Sequence, residues 1–173
     1  MQVTNGFGGA GSLTTLSTSG LYTPTGGIKG ISTNTNAAAG SVGEYISSTV
    51  LSGSATSLVS ATAKTVTSIS LTAGDWDVSG FVGLLFAATT NTTFLAVSFS
   101  TVNNTNGGEG NIAILQYGAG GIVPGSQTQH PIQTIRVSLS GTTTYYLVAN
   151  CGFTISTCGG FGTIAARRVQ PGA

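Results

Sequence analysis

Acid–base and nucleophilic chemistry in this chain rests on few side chains: Glu44, Asp75, Asp77, Glu109, His130, Cys151 and Cys158, besides a large stock of hydroxyls. General acid–base catalysis needs such groups to converge on one point. Asp75 and Asp77, in LTAGDWDV, stand two apart and so share one face of a strand, the spacing of a carboxylate pair or part of a Ca²⁺ site. A structural reading is the stronger one. Gly74-Asp75 marks a turn entering a strand, Trp76 between the two acids points into a core, and no DxDxDG spacing supplies further oxygen ligands. His130 precedes Pro131, which puts it in an extended or turn position, and no GxSxG elbow accompanies it. Cys151 and Cys158 lie seven apart with no nearby His, which is not a metal-binding spacing; they read as reduced thiols buried in a core or turn. The chain therefore reads as a binding or structural module without catalytic residues, metal or cofactor.

Charge narrows the partners. Charged residues are 5% of the chain against a usual ~25%. The cations Lys29, Lys64, Arg136, Arg167 and Arg168 leave a net charge of +1, too sparse to neutralise a run of phosphates, so nucleic acid is excluded as a partner. Arg167 and Arg168 are consecutive in AARRVQPGA and would point to opposite faces of a strand, one to solvent and one to a carboxylate. A near-neutral, Thr-rich surface of high β-propensity invites edge-to-edge association, which a closed oligomer would manage. No apolar run approaches the ~18 residues of a membrane span. The start MQVTNGFGGAG lacks the regions of a signal peptide, so folding in a cytoplasm is expected.

The elements that must position these residues are strands. From Gly43 onward, short runs rich in Val, Ile, Thr, Tyr and Phe alternate with Gly, Asn and Ser. Strands are expected at 44–50, 56–60, 64–71, 76–86, 93–100, 111–117, 132–140, 143–153 and 160–169, with no competing helix. In KTVTSISL, alternation puts Thr67, Ile69 and Leu71 on the core side and Val66, Ser68 and Ser70 opposite. Likewise Ile132, Thr134, Arg136 and Ser138 oppose Gln133, Ile135, Val137 and Leu139. In 143–153 both faces are partly apolar, which suggests a sandwich centre or an oligomer interface. Trp76, Phe81, Phe86, Phe94 and Phe99 read as core, whereas Tyr45, Tyr145 and Tyr146 suit an inter-subunit surface. The fold expected is an all-β, two-sheet antiparallel jelly-roll sandwich over 41–173, with a plain Greek-key sandwich as the alternative.

Residues 1–40 are almost entirely Gly, Ser, Thr, Asn and Ala, too polar to offset their own ordering entropy. Their scattered apolar residues, Phe7, Leu13, Leu16, Leu21, Tyr22 and Ile28, are the candidate anchor of an extended arm that docks on a partner. The Gly-rich stretch 101–129 is the candidate recognition loop, with Glu109, Asn111, Tyr117, Gln127, Gln129 and His130 as its contact residues.

The run from Gly43 to Val78, together with TTTYYLVAN at 142–150 and GTIAARRV at 162–169, resembles the C-terminal domain of tailed-bacteriophage fibre and related virion proteins. The likeness covers about three quarters of the chain. It is most specific in SLTAGDWDVSG and ARRV and loosest over 88–130. The resemblance implies a homotrimeric jelly roll of the tumour-necrosis-factor type on a virion, held through residues 1–40 to another virion protein and binding host surface polysaccharide or protein. It fits a short fibre, a spike or a fibre tip. A decoration, head-fibre or connector protein is the structural alternative, and a glycan depolymerase the enzymatic one.

Overall fold

The computed structural model describes residues 35–108, 110–116 and 122–171, and its compact unit begins at Asn36. The alternating runs form strands β1 (Tyr45–Val50), β2 (Thr56–Ser57), β3 (Lys64–Leu71), β4 (Gly74–Phe86), β5 (Thr92–Ser100), β6 (Ile112–Gln116), β7 (Gln127–Leu139), β8 (Thr143–Phe153) and β9 (Cys158–Pro171). A 3-10 turn at Ser52–Ser54 precedes β2, and no α-helix occurs among the described residues.

One sheet has the order β1-β9-β4-β7, with β2 also on β9; the other has the order β3-β8-β5-β6. Every pairing is antiparallel. The strands β1 and β2 lie along β9 one after the other, so they act as a single edge strand interrupted by the 3-10 turn. Counted that way, the two sheets have the strand order of an eight-stranded jelly roll, as the sequence predicts. The strand β7 starts five residues before the sequence suggests, taking in Gln127 to Pro131. Pro131 is admissible there because β7 is an edge strand, where a missing N–H costs no ladder bond.

The core lies between the sheets. Val78, Val82 and Leu84 of β4 and Ile164 of β9 meet Leu95, Val97 and Phe99 of β5 and Leu147 and Ala149 of β8. Each of the large apolar side chains contributes about 1.5–3 kcal/mol on burial. Two bulges correct the simple alternation. The register of β3 slips between Thr65 and Thr67, which turns Val66 into the core beside Ile69 and Leu71. Opposite Val78 and Gly80, β7 carries one extra residue, so Ile132 and Ile135 both turn inward and the strict two-residue pattern breaks between them.

Aromatic positions also depart from expectation. Trp76, Phe86 and Phe99 are core residues, but Phe81 and Phe94 are only half-buried. The ring of Phe94 lies over Gly152, and that of Phe161 over Gly83: a Cβ at either glycine would fall within about 2.5 Å of the ring. A glycine that lacks a side chain thus seats an aromatic from the neighbouring strand. Tyr145 is buried in the core and Tyr45 is exposed on the other sheet, so Tyr45, Tyr145 and Tyr146 do not share one surface.

Arg168 ties the start and end of the domain together. Its Nε donates to Glu44 Oε2 at 2.9 Å, Nη1 to the Ala73 carbonyl at 2.6 Å and Nη2 to Thr72 Oγ1 at 2.5 Å. The guanidinium lies 4.1 Å from the Trp76 ring centroid. The indole N–H donates to the Thr72 carbonyl at 2.9 Å, and the Gly40 N–H to Glu44 Oε2 at 2.8 Å. Consecutive strand residues do point apart: Arg168 is buried on its carboxylate and Arg167 is exposed.

Candidate functional site

Because the strands run antiparallel along one axis, their connections sort to two ends of the sandwich. The first end holds residues 36–44, the β3–β4 turn at 72–73, the described residues 101–108 and 110–111 between β5 and β6, the β7–β8 turn at 140–142 and the end of β9. The far end holds 51–63, 87–91, 122–126 and 154–157. Residues leading into β1 are fastened at the first end: Gly43 N–H donates to the Arg168 carbonyl and Asn36 Nδ2 to the Tyr45 carbonyl.

This geometry divides the stretch expected to be one recognition loop. The five residues of β6 cross the sandwich at about 3.3 Å each and separate the two halves of 101–129. Asn111 belongs to the first end. Its N–H donates to the Gly108 carbonyl, its carbonyl accepts from Phe99 N–H, and with Tyr145 it borders a cleft of about 220 Å³. Burial holds the Tyr145 hydroxyl above the ordinary tyrosine range. Gln127, Gln129 and His130 are residues of strand β7 near the far end, not of a loop, because they pair with Leu85, Gly83 and Val82. Glu109 and Tyr117 lie outside the described residues, as do Phe7, Leu13, Leu16, Leu21, Tyr22 and Ile28.

His130 is paired with the core residue Val82 and is half-buried, with Nε2 2.9 Å from Thr128 Oγ1. Desolvation pulls its pKa below the usual histidine value. At the first end, Asp75 is held below the usual carboxylate range by a hydrogen bond from Ser138 and by Arg136, whose Nη2 lies 2.7 Å away. Asp77 is in register with Arg136 on one side and Arg167 on the other. Among the described residues, no three His, Cys, Asp or Glu side chains come together as metal ligands. Cys151 and Cys158 are free and buried in the core. A hydrogen bond to Cys151, then burial, pushes the Cys158 thiol far above its ordinary value.

The far end carries a larger cleft, of about 560 Å³, that motif reading does not reveal. Across the outer face of the first sheet, Ser57, Gly159, Leu85 and Gln127 stand in register on β2, β9, β4 and β7. Gly159 brings no side chain to this row, so the cleft opens between Ser57 and Leu85. The 3-10 turn at Ser52–Ser54 and residues 86–87 and 157 complete its walls. The signals available in sequence were faint: the CGGFG run and the SGS turn.

Strand order and site geometry define a jelly-roll β-sandwich domain with its chemistry divided between two ends. No family model matches the chain, and no curated protein matches it. Solved structures with a shape likeness come from infectious bursal disease virus. The Gx strain structure has 12% identity and a TM-score of 0.45 over 73% of this chain and 32% of that one. The T13 viral particle has 12% identity and a TM-score of 0.47 over 75% and 33%. The VP2 subviral particle has 11% identity and a TM-score of 0.46 over 83% and 37%. This chain thus spans about a third of the length of those chains.

Proposed function

We propose that this chain is a structural protein of a tailed-bacteriophage virion: a short fibre, spike or fibre tip, assembled as a homotrimer in the host cytoplasm. Residues 1–40 attach it to another virion protein, and the far end of the sandwich binds host surface polysaccharide or protein without catalysis. The observation that carries this reading is the separation of the ends. The chain enters the domain at the end stapled by Arg168, so a domain held by its preceding residues presents 51–63, 87–91, 122–126 and 154–157 outward. The two most specific segments of the phage-fibre resemblance, SLTAGDWDVSG and ARRV, also pack on each other through Trp76 and Arg168. Trimer formation is favoured by the low charge and by the outer face of the first sheet near its first end, where Tyr45 stands exposed.

Particles carrying the full chain with Phe7, Leu13 and Leu16 changed to Ser test the arm: they should assemble without the protein and lose adsorption. Purified wild-type chain added in excess should block adsorption of normal particles. Normal adsorption by particles that lack the chain, with loss of physical stability, would instead establish the decoration, head-fibre or connector role. Release of sugar from host polysaccharide, abolished by Asp75→Asn, Asp77→Asn or Glu109→Gln, would establish a depolymerase.

A further inference from the structure

We infer that the far-end cleft beside Gly159 is a binding site for an uncharged saccharide, an assignment that rests on the host-binding reading above and names its ligand. Its volume of about 560 Å³ falls within the ~300–1,000 Å³ typical of small-molecule sites. Its surface is amphipathic in the way a sugar ring requires. Leu85 is 40% exposed and offers methyl groups to the C–H face of a ring. The Ser52, Ser57 and Thr157 hydroxyls have no hydrogen-bond partner among the described residues, so they are free to exchange bonds with sugar hydroxyls. The exposed Gln127 amide stands in register beyond Leu85 and extends the row by a donor and an acceptor.

Charge selects the class. Glu44, Asp75, Asp77, Arg136, Arg167 and Arg168 all lie toward the opposite end. Lys64 pairs with Ala149, partway along β8 in the other sheet. Among the described residues, no fixed charge lines the cleft to hold a uronate, sialate or phosphate.

The test uses the full chain and two cleft variants. A Cβ at Gly53, on the cleft wall, meets nothing within 4 Å, so Gly53→Trp adds bulk at the cleft without a clash at the Cβ, and Leu85→Ser removes the apolar wall. Gly141→Trp is the control at the opposite end, where a Cβ is equally unobstructed. Binding is read by ligand-observed NMR with maltoheptaose, a galactan and a mannan, with hyaluronan and polygalacturonate as anionic counterparts, and by binding to cells the phage infects. The expected result is binding to a neutral polymer and to cells, weakened at least tenfold by Gly53→Trp and Leu85→Ser, unchanged by Gly141→Trp, and insensitive to salt.

Cell binding that neither cleft variant weakens, while both melt like wild type, would overturn the cleft and leave the appendage reading standing. Binding confined to the anionic polymers, or cell binding destroyed by protease and not by periodate, would overturn the neutral-saccharide assignment. Absence of any cell binding by the wild-type chain would overturn both.

Discussion

Arg168 is a cation taken almost wholly out of water, and the groups around it explain why that is tolerated. A carboxylate, a carbonyl, a hydroxyl and an indole face surround it. Removing one member strands the charge, so Glu44→Ala should cost about 3–5 kcal/mol in urea denaturation. Replacing both partners, with Glu44→Leu and Arg168→Met, should recover most of that loss. His130 behaves in the opposite sense. Burial favours its neutral form in the folded state, whereas in the unfolded chain it takes up a proton near pH 6.5. Stability should therefore decline as pH falls through about 6.5 and level off below the lowered folded-state pKa. His130→Gln should flatten that part of a melting-temperature profile against pH; an unchanged slope would assign it to another group.

Among the elements, the two glycine–aromatic seats make the sharpest demand on sequence. Gly83→Ala drives a methyl into the Phe161 ring and should cost about 1–3 kcal/mol, and Phe161→Ala in the same chain should relieve the clash, as a double-mutant cycle would measure. Strands such as KTVTSISL and TFLAVSFS were readable because alternation and β-branched residues leave few competing conformations. The bulges at Val66 and opposite Ser79 were not, because one inserted residue shifts the period without changing composition. The start of β7 was hidden by Pro131, which argues against a strand until its edge position is known. The opposite faces of Arg167 and Arg168 follow from strand geometry alone, because consecutive residues of a strand alternate. The far-end cleft was invisible for a different reason: it is defined by a missing side chain at Gly159 and by neighbours from β2 and β4 that are distant in sequence.

At the scale of the whole molecule, the domain divides its labour lengthwise. Ion pairs and the fastening of residues 36–44 gather at one end; neutral hydroxyls, an exposed leucine and an open cleft gather at the other. A homotrimer built this way would repeat the far-end surface three times, and weak sites then gain by effective concentration when the trimer faces a polymer. Its solution mass should be three times the 17.1 kDa of one chain. Electron cryomicroscopy of the intact particle would show whether the domain is a virion appendage held by its first end. Threefold density should project from the particle, with the 51–63 and 87–91 connections farthest from the point of attachment. Density in which those connections face the particle, or a particle without this protein, would contradict that attachment.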